Sequence, residues 1–298
     1  MSHRADDQRA DEVRTDYELQ VLASGFMFPE SPRWWDEKLY FSDVYGKKLY
    51  RMNADGSDLV ELGYYEGCPC GLGLLPDGMR LVSEATRQIL WRFTDDGVKI
   101  EHADLSEFSK HWANDIVIDA NGITYTSCIG YNLLNGDAPA PGPLVMTTLD
   151  GVSTVVDDDV MFGNGLGITP DGSTLVVAET LGERITAYDC REDGTLTNRR
   201  TWAALPGLNP DGVCFDAEGG LWVASCFTCE LVRVLEGGQI TDRIPTPGRW
   251  ALAPMLGGPD RRTLYLLTSD TDFYRIKDND MVGAIETVRV EIPGAGLP

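Results

Sequence analysis

Phe162-Gly163-Asn164-Gly165-Leu166-Gly167-Ile168-Thr169-Pro170-Asp171-Gly172, followed by the apolar run Thr174 to Ala178, is the stretch whose reading decides the fold. It consists of a polar residue, a short apolar strand, a Pro-Asp-Gly turn and a second apolar strand. The phrase returns from Cys70 to Gly78 before Arg80-Leu81-Val82, from Asn114 to Gly122 before Ile123-Thr124-Tyr125, and from Asp211 to Gly219 before Leu221-Trp222-Val223. Two looser copies run from Glu30 to Asp36 before Leu39-Tyr40-Phe41, and from Ala253 to Asp260 before Leu264-Tyr265-Leu266. Six copies at roughly 40 to 50 residues mean a propeller, solenoid or array. Each reads as a hairpin within a small antiparallel sheet. Six such sheets bury their faces by packing around an axis, so the chain is expected to be all-β, a six-bladed β-propeller with four-stranded antiparallel blades.

The blades are expected at about 28–62, 70–100, 114–156, 164–202, 211–244 and 251 onward. The strand-like segments 17–23 and 284–292 are expected to meet in the last blade. Residues 1–16 are polar and charged without an apolar core, neither signal peptide nor membrane span, and are expected to form a mobile tail before a single domain at 17–298. The longest insertion, Tyr131 to Pro143, is rich in Gly, Pro and Asn and is a candidate lid. Asp104 to His111 reads as one short helical turn.

With 47 acidic against 25 basic residues the formal net charge is -22, which argues against nucleic acid and anionic membrane surfaces as partners. No run approaches the roughly 20 apolar residues of a membrane helix. Seven cysteines, an odd number, suit reduced thiols in a cytoplasmic protein that is a monomer or homodimer. Cys226-Phe227-Thr228-Cys229 has the spacing of a redox or zinc pair, but on an extended strand its sulfurs would point to opposite faces.

The repeat also places a site. One residue in each copy sits about five positions before the turn: Glu30, Cys70, Asn114, Asn164, Asp211 and Ala253. Equal distances from the turn put these side chains at similar height on the innermost strands. Four carry oxygen, and oxygen-only donors, two of them anionic, suit a hard cation such as Ca2+. Mg2+ or Mn2+ would accept the same donors, and Zn2+ would prefer His or Cys.

At these residues the chain resembles the family of senescence marker protein (regucalcin), gluconolactonase and luciferin-regenerating enzyme. The resemblance runs from about Phe28 to Ser269. Its strongest segments are Pro29-Glu30-Ser31-Pro32-Arg33-Trp34, Trp112-Ala113-Asn114-Asp115, Gly163 to Gly172, Asn198-Arg199-Arg200, Pro210-Asp211-Gly212 with Asp216 to Ala224, and Gly257 to Asp260 with Thr263-Leu264-Tyr265. It implies a six-bladed propeller with a divalent ion in the channel, held by Glu30, Asn164 and Asp211, with Asn114 as a further ligand or a substrate contact. It also implies a metal-dependent hydrolase of cyclic esters, in which Asp211 activates water or attacks and Asn114 orients the substrate. Sugar-lactone members carry an Arg two residues before Asn114 and an acidic residue after the following strand. Here Trp112 and, by alignment, Tyr131 or a neighbour stand there, which favours a small-molecule substrate less polar than a sugar lactone. Trp112, Tyr131, His111 and Cys70 are thus candidate substrate-lining residues. The alternatives are a phosphotriesterase-like hydrolase of the diisopropyl fluorophosphatase type and a non-catalytic, metal-stabilised ligand-binding propeller. No Gly-x-Ser-x-Gly elbow is present to support a serine hydrolase.

Overall fold

Each repeated turn closes the hairpin between the first and second strands of a sheet. At Thr169-Pro170-Asp171-Gly172 the Gly172 N–H donates to Thr169 O at 2.8 Å, and Asp171 accepts from the Ser173 N–H. Gly172 sits at a φ of 72°, which favours glycine. The first copy replaces this phrase with Asp36-Glu37, both at positive φ, joining the paired residues Trp35 and Lys38 in a two-residue loop.

The computed structural model describes residues 13–94 and 96–296. They form six four-stranded antiparallel sheets arranged as a six-bladed propeller. The innermost strands are Pro29–Trp35, Pro69–Leu74, Ala113–Ile118, Gly163–Ile168, Pro210–Phe215 and Trp250–Gly257. Each contacts the innermost strands on either side, so they make a closed ring. Blades one to five take their strands consecutively. Blade six runs Trp250–Gly257, Thr263–Asp270, Val282–Arg289 and then Gln20–Phe26, so the two ends of the chain share a sheet as expected.

The first strand begins three residues later than the apolar pattern suggested. Tyr17 and Leu19 do pack against the core, Tyr17 edge-on to Trp222 at 6.3 Å, but main-chain pairing starts at Gln20. Before it, Arg14 N–H donates to Thr241 O and Arg243 N–H to Arg14 O, laying this residue along the outer edge of blade five. Most of the segment expected to be a tail, residues 1–12, lies outside the described residues.

The apolar core lies between blades rather than inside any one of them. Trp202 of blade four meets Phe215 of blade five, and Trp34 of blade one stacks on Tyr265 of blade six. Polar links repeat around the ring as well. Ser42, Ser127 and Thr180, at the ends of the second strands of blades one, three and four, are fully buried. Each donates to a carbonyl on the next blade's innermost strand: Ser42 to Cys70 O at 2.9 Å, Ser127 to Asn164 O at 2.8 Å and Thr180 to Pro210 O at 2.8 Å. Ser83 makes the same bond to Asn114 O from blade two. Buried main-chain carbonyls need such partners, and here they also fix the heights of neighbouring blades. Among the described residues no helix is long and apolar enough to cross a membrane.

Candidate metal centre and active site

All six innermost strands break their pairing register at the position singled out by the repeat. The shifts fall between Glu30 and Arg33, Pro69 and Leu72, Ala113 and Ile116, Gly163 and Leu166, Pro210 and Val213, and Ala251 and Ala253. Such bulges re-aim side chains at the rim of a sheet. At one end of the channel they bring Glu30, Cys70, Asn114, Asn164 and Asp211 into the lining of a single cavity. The sixth position, Ala253, is buried in the wall of blade six and offers no donor.

The two amides orient each other. Thr180 spends its hydroxyl proton on Pro210 O, so toward Asn164 it can only accept, and Asn164 Nδ2 donates to it at 3.2 Å. Asn164 Oδ1 is thereby turned toward Asn114, whose Nδ2 donates to it at 3.0 Å and to Gly163 O at 3.3 Å. Asn114 has no amide hydrogen to spare and presents its own Oδ1. Both amides therefore offer carbonyl oxygens.

A third carboxylate, Asp115, joins the site. Strict alternation along a strand would have sent it to the face opposite Asn114, but the bulge from Ala113 to Ile116 carries both to the cavity. The Asn114-Asp115 pair was visible in the sequence; the bulge was not. Asp115 Oδ1 accepts from Ser31 Oγ at 2.7 Å and from the Ile116 N–H at 2.8 Å, and Arg33 Nη2 lies 3.6 Å away. Ser31 takes a φ of 46° and donates its N–H to Glu30 Oε2 at 3.0 Å.

The electrostatics are one-sided. Burial pushes the Glu30 carboxyl up to about 8, opposed by the Ser31 N–H and reinforced by Asp115. Burial also raises Asp211 well above the ordinary carboxylate range; Glu30 and Asp115 add to this, and hydrogen bonds with Cys226 and Asn164 offset part of it. Arg33 is committed to Asp115 and to the carbonyls of Pro32 and Ile116. Arg33 also acts to lower Glu30, but burial outweighs it, so these buried carboxylates are only partly compensated. With two amide oxygens beside them, the donor set fits a hard divalent cation: Glu30, Asn164, Asp211 and Asn114 would hold it.

The wall above these donors is aromatic. Phe28, Tyr45 and Trp112 form a chain of contacts at 5.5 and 6.1 Å, and Tyr131 meets Phe162 at 6.0 Å. Phe227, Trp250 and Phe273 cluster with centroids 4.9 to 5.1 Å apart on the side of blades five and six. Tyr131 arrives with the insertion of blade three, which also brings Asn132 and Leu134 to the cavity. The Tyr131 hydroxyl is buried without a hydrogen-bond partner, a polar atom left over in an apolar wall.

Of the four candidate substrate-lining residues, Trp112, Tyr131 and Cys70 line this cavity, whereas His111, half-buried just before Trp112, is not among its lining residues. Phe227, Trp250 and Phe273 lie outside the repeated phrase, so the sequence reading missed them. The Cys226–Cys229 segment is a connection rather than extended strand: it joins Leu221–Ser225 to Glu230–Val234, and Cys229 N–H donates to Cys226 O at 3.3 Å. Cys226 lines the cavity, Cys229 does not, and all seven cysteines are free thiols.

Comparison with known proteins agrees with this architecture. The chain is 26% identical over 300 residues to the 6-deoxy-6-sulfogluconolactonase of Pseudomonas putida, covering 93% of this chain and 96% of that one. It is 28% identical over 238 residues to the L-arabinolactonase of Azospirillum brasilense, covering 78% of each. Among solved structures, a calcium-binding protein, regucalcin, from Agrobacterium tumefaciens superposes with a TM-score of 0.81, covering 96% of this chain and 98% of that one; at 20% identity the likeness is one of fold. The family model described as the SMP-30/gluconolactonase/LRE-like region matches residues 28–270, and the chain belongs to that family.

Proposed function

We propose that the protein is a divalent-metal-dependent hydrolase of cyclic esters, acting on a lactone less polar than a sugar lactone. The observation that carries the reading is the convergence of Glu30, Asn114, Asn164 and Asp211 at the floor of one cavity, with buried carboxylates that the neighbouring Arg33 compensates only in part. The lactonase names of the relatives support the choice of substrate bond. A bound hard cation, Ca2+ by its preference for oxygen donors, would supply Lewis-acid polarisation of the lactone carbonyl.

The chain's own residues do the rest. Glu30 and Asn164 hold the floor, and Asn114 keeps Asn164 in orientation while offering its Oδ1 toward the substrate. Asp211, 5% exposed, takes the proton of the attacking water. The water oxygen bonds to the carbonyl carbon, the ring C–O bond breaks, and the departing oxygen recovers a proton, giving a hydroxy acid. The aromatic wall excludes bulk water and holds the apolar part of the substrate.

The test is hydrolysis of a lactone panel with Ca2+, with chelator, and after readdition of Ca2+, Mg2+, Mn2+ or Zn2+. Chelation is expected to abolish turnover reversibly, and Asp211→Asn to lower kcat by roughly 10²- to 10⁴-fold. Turnover untouched by both chelator and Asp211→Asn overturns the proposal. A neutral phosphotriester belongs in the same panel, because an apolar cavity without basic side chains would admit it equally well.

A further inference from the structure

We infer that this site takes neutral lactones bearing an aromatic or alicyclic ring and rejects lactones that carry an anionic group. The inference rests on the lactonase reading above and adds the substrate's charge and shape.

Charge comes first. Among the described residues no Lys, Arg or His lines the cavity, whereas Glu30, Asp115 and Asp211 do. A divalent cation would neutralise two of these three carboxylates, and Arg33 is already spent on the third and on two carbonyls. No positive charge remains to receive a phosphate, sulfonate or second carboxylate, and bringing one into a low-dielectric cavity beside carboxylates is costly.

Shape follows from the two aromatic walls. Phe28, Tyr45 and Trp112 stand on the side of blades one and three, and Phe227, Trp250 and Phe273 on the side of blades five and six. Aromatic rings on both sides of a polar floor hold a ring-bearing molecule with its ester end down. A polyol chain would lose its water to these walls and gain few hydrogen bonds in return. The edge of the second wall is accessible, since Phe273 is 38% exposed and opens on the short helix Phe273–Asp278.

The experiment uses the full chain with Ca2+ and four substrates: dihydrocoumarin, D-glucono-1,5-lactone, γ-phenyl-γ-butyrolactone, and the last compound with a carboxylate on its phenyl ring. Dihydrocoumarin is expected to exceed gluconolactone in kcat/KM by roughly tenfold or more, and the added carboxylate to cost at least as much. Leu134→Arg, which puts a cation into the wall away from the floor donors, is expected to restore the carboxylated compound without improving its neutral parent. Equal rates for the neutral and carboxylated pair, or gluconolactone at or above dihydrocoumarin, overturn the inference. Binding of the corresponding lactams, followed by tryptophan fluorescence, separates this result from a failure of the lactonase reading. If no lactone turns over, at least tenfold tighter binding of the neutral lactam still supports the charge and shape argument, and equal or undetectable binding of both overturns it.

Discussion

Thr180 acts on the site without touching the cavity. Its hydroxyl proton is committed to Pro210 O, and its lone pair accepts from Asn164 Nδ2, so one side chain fixes both the amide orientation in blade four and the main chain just before Asp211 in blade five. Thr180→Val keeps the shape and removes both bonds, leaving the orientation of the Asn164 amide to its bonds with Asn114 and Asp211. Substitutions behind metal ligands commonly cost 10- to 100-fold in affinity, and a drop of about tenfold is expected here. Thr180→Ser retains the hydroxyl and should restore most of the loss. Calorimetric Ca2+ titration or terbium luminescence reads this without turnover. A Val variant that binds as tightly as the parent would show that the orientation of Asn164 is set elsewhere.

At the scale of elements, glycine controls how closely the innermost strands approach. A Cβ added at Gly165 would stand 2.6 Å from Asp211 O, 2.7 Å from Gly212 Cα and 2.9 Å from Val213 N, all main-chain atoms that cannot swing aside. Gly165→Ala must therefore push blades four and five apart. Overpacking of this kind costs about 1–3 kcal/mol, and because the strain lies between Asn164 and Asp211 it should weaken metal binding as well. Thermal unfolding with and without Ca2+ separates the two effects: a lower Tm with an unchanged Ca2+ shift means the donors do not share the displaced backbone. The same strands define what could be read from sequence. Distance from a recurring turn is conserved among the copies of the repeat, so Glu30, Asn114, Asn164 and Asp211 were legible as one tier. The bulge that adds Asp115 is a register event decided by packing against neighbouring blades, and no residue pattern announces it. Likewise the aromatic cluster of Phe227, Trp250 and Phe273 comes from a connection in blade five, the first residue of blade six's innermost strand and the short helix Phe273–Asp278, whose meeting depends on the closed ring.

Across the whole molecule the ring is held at several levels. The strand Gln20–Phe26 completes blade six, and Phe26 packs on Phe41 and Tyr50 of blade one at 5.0 and 5.5 Å. The buried hydroxyls tie blade to blade, and the candidate metal donors come from blades one, three, four and five. A cation bound there is linked to folding of the entire disc, since unfolding disperses its donors. At a Ca2+ concentration 100 times Kd the stability gain is about 2.7 kcal/mol. Without the ion, Glu30 and Asp211 work in the opposite direction, because their buried charges are disfavoured and face a third carboxylate. Breaking up such a partly compensated group with neutral isosteres is stabilising or neutral. The Glu30→Gln/Asp211→Asn double variant is therefore expected to reverse its rank with conditions: in chelator it unfolds at the same temperature as the parent or higher, and in saturating Ca2+ it unfolds lower. A fixed order in both conditions, whichever chain is the more stable, would mean that Ca2+ does not act through these carboxylates, and the case for an ion at the centre of the ring would fall with it.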